Sequence, residues 1–307
     1  MYRLIGLFLI LFIHPIMAKP LIYIVQHQPL PEYALAVASI KQHLNSDYIL
    51  KTVTINAVSV ANMTQKIQAQ RPQLIISVGT KATKLIQSKI KRIPIIFTMA
   101  FQPQKTGIVK NLQFPGGNTT GVALDIPLDL QFKTLRTIFP YLRRIGTLYT
   151  PYRNQEIIDR ATTIAQNYQF TLLSKPVHTK DQIQPQLEAL FRDQIQLLWS
   201  TPDQTIYSKT SLPYILLSLN RFKVPYIGLS KSYLNMGAYV SLDADPVHIG
   251  KKTAKMVHQI IQKRQRPMIT PVVFPDTLRY AINQTVMTQF EFNVPDNVLK
   301  NGEIIQP

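Results

Sequence analysis

The period of apolar positions switches repeatedly along this chain. Short apolar runs of strand type occupy residues 21–26, 49–56, 73–78 and 93–101. Between them apolar residues recur every three or four positions: Tyr33, Val37, Ile40 and Leu44, then residues 61–70, then Ala82, Leu85 and Ile86. Side chains alternate faces along a strand and repeat every 3.6 residues along a helix, so the pattern predicts a strand–helix alternation. Runs apolar on both faces predict a parallel sheet covered by helices on each side.

The alternation breaks at Gln102-Pro103 and at the turn-rich Pro115-Gly116-Gly117-Asn118, then starts again. A strand is expected over 120–125 and a helix from Pro127 through Leu128, Phe132, Leu135 and Phe139, stopped by Pro140. Strands at 145–149, 170–177, 195–200 and 224–229 then alternate with helices through Ile157, Ala161, Ile164 and Tyr168, through Ile183, Leu187 and Leu190, and from Ser211. Pro213 fits the first turn of that last helix. A strand at 238–242 leads through Asp243-Ala244-Asp245-Pro246 into one apolar stripe, Val247, Gly250, Ala254, Val257 and Ile261. Short strands are expected at 272–274 and 278–282. Two similar arrays with pieces left over at the end predict two α/β lobes between which the chain crosses more than once.

Composition narrows the function. The 307 residues, 46% of them hydrophobic, suffice for two cores. The absence of cysteine excludes a disulfide framework, cysteine-ligated metal, a cysteine nucleophile and a lipoprotein anchor. Six scattered histidines offer no metal site, and no cofactor is expected. The formal charge of +18 is dispersed in small groups such as Lys89, Lys91 and Arg92 or Lys263, Arg264 and Arg266. None of these groups carries a nucleic-acid motif, so they are read as solvated helix faces and nucleic acid is not an expected partner.

At the start, Arg3 precedes an uninterrupted apolar run from Leu4 to Ile13, and Ala18 follows His14-Pro15 and Ile16-Met17. One positive charge, a short apolar stretch and a small terminal residue read as a secretory signal cleaved after Ala18, which makes the mature protein exported and soluble. A retained anchor is the second reading, although the run is about half the roughly 20 residues a span requires. A buried first strand is the third.

Several blocks stand out together: Gln73-Leu74-Ile75-Ile76-Ser77-Val78-Gly79-Thr80-Lys81-Ala82, Ile93-Pro94-Ile95-Ile96-Phe97, and most specifically Pro115-Gly116-Gly117-Asn118-Thr119-Thr120-Gly121-Val122. Further along come Arg144-Ile145-Gly146-Thr147-Leu148-Tyr149-Thr150-Pro151, Met236-Gly237-Ala238-Tyr239-Val240-Ser241-Leu242-Asp243, Ala281-Ile282-Asn283 and Asn293-Val294-Pro295. In these blocks the sequence resembles the ABC-transporter substrate-binding proteins of the tryptophan/tyrosine type. The resemblance implies a type I periplasmic-binding fold, two doubly wound parallel-sheet lobes joined by a multi-strand hinge with a ligand closed between them. The expected division is a signal over 1–18, a first lobe of 19–121 and 246–268, and a second of 122–245 and 269–307. Where the family commonly has Asp-Pro after the fourth strand, this chain has Gln102-Pro103, which removes a carboxylate suited to a ligand ammonium.

In open α/β sheets ligands sit beyond the carboxyl ends of the strands. Those ends supply the candidate residues Gln26, His27, Thr80, Lys81, Phe101, Gln102, Tyr149, Thr201, Asp203 and Ser230. Thr80 after Gly79 is the sharpest, because a hydroxyl and the first free amides of a helix suit a carboxylate; an ordinary helix cap requires the same residue. Phe101, Tyr149, Trp199 and Tyr233 are candidate aromatic walls, with Trp199 more often core when it sits inside Leu197-Leu198. Asp203 would receive an ammonium or cap a loop, and Asp125 and Asp243, ending the two crossover strands, are read as hinge residues. A lone His27 is not a triad member.

These readings converge on an exported, monomeric, non-enzymatic protein that closes on a small molecule, an amino acid or similar small carboxylate, and delivers it to an ABC permease. A binding protein serving a membrane sensor is the alternative. A two-lobed enzyme would need a nucleophile elbow, paired metal ligands or a nucleotide fingerprint, none of which the sequence contains. A regulator of related fold would open with a DNA-binding helical unit.

Overall fold

The computed structural model describes residues 19–306, so the expected signal segment lies outside the described residues. In chain order the elements are β1 (Leu21–Gln26), α1 (Pro31–Leu44), β2 (Ile49–Thr54), α2 (Val60–Ala69), β3 (Leu74–Val78), α3 (Thr80–Lys89), β4 (Ile95–Ala100) and β5 (Thr119–Ala123). They continue with α4 (Leu128–Ile138), β6 (Arg144–Tyr149), α5 (Pro151–Asn167), β7 (Thr171–Pro176), α6 (Ile183–Arg192), β8 (Leu197–Trp199), α7 (Leu212–Arg221), β9 (Tyr226–Gly228) and β10 (Val240–Ala244). The chain closes with α8 (Pro246–Ile261), β11 (Leu278–Asn283), α9 (Gln284–Phe290), α10 (Asp296–Asn301) and β12 (Glu303–Ile305).

Two α/β lobes result. The first holds five parallel strands in the order β2-β1-β3-β4-β5. Alternation along the strands divides its core: Ile22, Ile24, Leu74, Ile76 and Ile96 meet α1 and α8 on one face, whereas Tyr23, Val25, Ile75 and Ile95 meet α2 and α3 on the other. Every residue of β3 and β4 is buried, which is why both read as unbroken apolar runs. Helix α8 follows a second-lobe strand but packs on α1. Ser39 Oγ donates to the Val247 carbonyl at 2.8 Å, and a Cβ at Gly250 would lie 2.5 Å from the Ala36 carbonyl oxygen, so glycine permits the close approach.

The second sheet runs β12-β11-β10-β9-β8-β6-β7, parallel except at β10 and β11. That antiparallel pair departs from the expected all-parallel array and follows from the third crossover. The chain leaves the second lobe at Ala244, passes through α8, and re-enters at Leu278, which pairs with Ala244, so β11 must run back beside β10.

The return also takes place later than expected. Residues 270–273 run beside β5: Thr120 Oγ1 donates to the Thr270 carbonyl at 2.7 Å, the Val273 amide donates to the Gly121 carbonyl at 2.9 Å, and the Ala123 amide donates to the Val273 carbonyl at 2.8 Å. The expected start of the last second-lobe segment at 269 is therefore too early, and the strand expected at 272–274 is a single bridge of Val273 to Val122. Beyond that point, Asp276 accepts from His248 Nε2 at 2.5 Å and Lys252 Nζ at 2.6 Å, while Arg279 pairs with Asp245 at 2.6 Å. These contacts fasten the third crossover to the start of α8.

Candidate functional site

The carboxyl end of β3 is a sharp turn. Gly79 caps α3 with φ +84°, a conformation that favours glycine, and a Cβ there would fall 2.5 Å from the Tyr33 hydroxyl. Thr80 is thus the first helical residue and not the cap. Its Oγ1 accepts the Phe101 amide at 3.0 Å, leaving its own hydrogen free to donate. Thr83 continues the same frame, donating to the Gly79 carbonyl at 2.8 Å and lying 2.9 Å from Ser77 Oγ. The first turn of α3 has no acidic residue, and Lys81 stands exposed beside it. Tyr33 lies against this turn, with its phenol pushed up in pKa first by burial and then by Glu32. Its sequence signal was only that of a helix-face apolar position, so its place at the site was not legible there.

The end of β4 is bent. The β4–β5 register shifts between Thr98 and Ala100, and Met99 and Gln102 have φ of +56° and +44°. Each such residue costs on the order of 1–3 kcal/mol, offset here by the surrounding bonds. The bend delivers the Gln102 amide to Asp125 Oδ2 at 2.8 Å. Burial pushes the Asp125 carboxyl up to about 6, opposed by the Gln102 amide, its own amide and the Lys105 charge. Lys105 Nζ in turn donates to the Arg153 carbonyl on α5 at 2.9 Å, a direct link between the lobes. Gln26, 3.4 Å from Thr54 Oγ1, and His27 end β1, the neighbour of β3. Gln26, His27, Thr80, Lys81, Phe101, Gln102 and Asp125 therefore line one edge of the first sheet.

The second-lobe candidates separate. Asp203 is 3% exposed and uses both oxygens locally: Oδ2 accepts the Thr150 amide at 3.0 Å and Asn154 Nδ2 at 2.9 Å, and Oδ1 accepts the Thr205 amide at 3.0 Å. It fastens the start of α5, so of its two readings the structure favours the cap. Trp199 is 2% exposed, packs on Phe132 with ring centroids 5.3 Å apart, and donates its indole N–H to Gln131 Oε1 at 3.0 Å. It is a core residue and not a ligand wall. Tyr149, 8% exposed, belongs to the same core and donates to Gln155 Oε1 at 3.1 Å. Tyr233 packs against Gly228 and Tyr226 beneath β9. Trp199, for which the sequence already favoured the core, and Tyr149 turn to the core from their strand ends, whereas Tyr233 lies half-buried in the short helical turn after β9.

Thr201 Oγ1 is buried without a hydrogen-bond partner, and so is Thr150 Oγ1 at the end of β6. Both follow neighbouring strands, β6 and β8. Ser230 Oγ lies 2.7 Å from Ser232 Oγ. At the second crossover Asp243 accepts from Ser241 Oγ at 2.7 Å and from the Lys231 amide at 3.3 Å, and burial pushes its carboxyl up.

Comparison with known proteins adds to this geometry. Residues 32–305 match the family described as ABC transporter substrate binding protein. A curated relative, the tyrosine-binding protein of Clostridioides difficile (strain R20291), is 25% identical over 228 residues, which cover 74% of this chain but only 65% of that protein's length. The fold is similar to that of the ABC domain in complex with L-Trp from Streptococcus pneumonia, with 24% identity, a TM-score of 0.62, and 94% of this chain and 100% of that one covered. It is also similar to the ligand-free, open structure of a substrate binding protein with adhesive properties from Clostridium difficile, with 20% identity, a TM-score of 0.75, and 94% and 99% covered.

Proposed function

Because the chain belongs to the ABC transporter substrate binding protein family, we propose that it is an exported solute-binding protein that closes on an amino acid or similar small carboxylate and delivers it to an ABC permease. The observation that carries this reading is the Gly79–Thr80 turn. It places a free hydroxyl hydrogen and the first amides of α3 at the carboxyl end of β3, with no acidic residue in that helical turn to compete. A carboxylate there is stabilised by roughly 0.3–1 kcal/mol from the helix end alone, and by more when the donors bond it directly. The amino-acid class is supported further by the tyrosine-binding relative and the L-Trp complex.

The three crossovers form the hinge in this reading, and the ligand, touching both lobes, favours the closed arrangement. Native mass spectrometry of protein purified without refolding tests the function. A co-purified amino acid or small carboxylate, returned chemically unchanged, is the expected result; conversion of that compound on incubation would make the chain an enzyme and overturn the proposal. Export is tested separately by N-terminal sequencing, with Lys19 expected first.

A further inference from the structure

Strands β3, β4 and β5 are neighbours, and their carboxyl ends set Thr80, Gln102 and Asp125 in a row along one sheet edge. The outer two stand two strand spacings apart, about 10 Å. Consecutive amides tie the row together, with Phe101 N–H donating to Thr80 and Gln102 N–H to Asp125.

The two ends of this row differ in electrical character. At Thr80 the helix end, the hydroxyl and Lys81 suit an anion. At Asp125 a partly buried carboxylate has no Lys, Arg or His nitrogen within 4.0 Å among the described residues. The Lys105 charge relieves it in part, but that ammonium is bonded to the Arg153 carbonyl. Burial without an ion pair disfavours the ionised carboxylate, which is why its pKa is pushed up to about 6, and an arriving cation would remove that cost.

The other carboxylates near the strand ends are committed elsewhere. Asp203 accepts three donors inside the second lobe, and Asp243 accepts Ser241 Oγ and the Lys231 amide. We propose that Asp125 is the counter-ion of the ligand's ammonium group, so that the site selects α-amino acids over carboxylates that lack the amine. A zwitterion laid along the row meets an anion-binding end at Thr80 and an anion at Asp125. This inference rests on the small-carboxylate reading above and adds to it the group that recognises the amine. It also accounts for Gln102, since the carboxylate absent at that position is supplied by a side chain bonded to its backbone.

The test is calorimetric titration of the wild type and Asp125→Asn with the twenty L-amino acids, followed by the tightest binder against its deaminated analogue, such as L-tyrosine against 3-(4-hydroxyphenyl)propionate. The wild type should bind the amino acid tenfold or more tighter than the analogue, and Asp125→Asn should abolish most of that preference. Equal binding of the two by the wild type overturns the proposal, as does a preference that survives in Asp125→Asn. If the variant does not fold, the wild-type comparison still decides whether the amine is recognised, and a pH titration of the wild type decides whether a carboxyl near 6 recognises it. Binding of the analogue but of no amino acid would overturn this inference and leave the small-carboxylate reading standing. Binding of neither would overturn both.

Discussion

The hydroxyl of Thr80 accepts the backbone amide of Phe101 at 3.0 Å. This bond joins the first residue of α3 to the end of the neighbouring strand, so that one side chain both holds the sheet edge together and keeps a donor for a ligand.

Thr80→Ala should therefore have two effects. Losing a hydrogen bond to a charged ligand group costs about 1.5–3 kcal/mol, a tenfold or greater loss of affinity. The Phe101 amide also loses its acceptor, which should lower the melting temperature. Thr80→Ser keeps the hydroxyl and should retain most of both. Calorimetric titration with the co-purified ligand beside thermal unfolding separates the effects, and a lowered melting temperature at unchanged affinity would assign the hydroxyl to structure alone.

Asp203→Ala should act mainly on stability. Its carboxylate accepts the Thr150 amide, Asn154 Nδ2 and the Thr205 amide, and each bond to a charged group is worth about 1.5–3 kcal/mol. Allowing for water entering the vacated space, a loss of roughly 3 kcal/mol or more in urea unfolding is expected. Ligand affinity of the folded fraction should change little; a collapse of affinity at unchanged stability would move Asp203 into the site.

Acidity should act through Asp125. Its carboxyl is raised from 3.8 to about 6, so between those values the folded state holds a proton that the unfolded chain has released. Stability of the unliganded protein should accordingly fall as pH rises from about 4 to about 6, by at most about 1.4 kcal/mol per unit, and Asp125→Asn should flatten that slope. Binding an ammonium requires the ionised form, so affinity should drop by up to about tenfold per unit below pH 6. The groups bearing on Asp125 are the Gln102 amide, its own amide and Lys105. Unfolding and titration series across pH 4–8 check both slopes.

Closure should be visible in solution. The two lobes are joined at residues 124–127, at residue 245 between β10 and α8, and at residues 274–277, and Lys105 donates across to the Arg153 carbonyl. Small-angle scattering should show a smaller radius of gyration at saturating ligand, and no change would remove the hinge from the account. Lys105 is exposed, so Lys105→Ala should alter the unliganded profile only slightly, a single exposed contact being worth about 1 kcal/mol or less.

What the sequence determined by itself was set by neighbours along the chain. The switch between a two-residue and a 3.6-residue period located most strands and helices, and unbroken apolar runs such as Leu74–Val78 required a sheet buried on both faces. Gly79 before Thr80 announced a turn at a strand end. Periodicity carries no information about which distant segments meet, and there the tertiary structure decided. The antiparallel pairing of β11 with β10 depends on where the third crossover re-enters the lobe, and the edge position of residues 270–273 on which strand happens to be open. The short closing elements α9, α10 and β12 span too few residues to show a clear period. Leu197-Leu198-Trp199 favoured the core for Trp199 without fixing it, because a strand buried on both faces gives the same pattern whether a residue meets the core or the cleft. Asp125 reaches Gln102 across 23 residues and Asp203 reaches Thr150 across 53, and only folding brings those carboxylates to their amides.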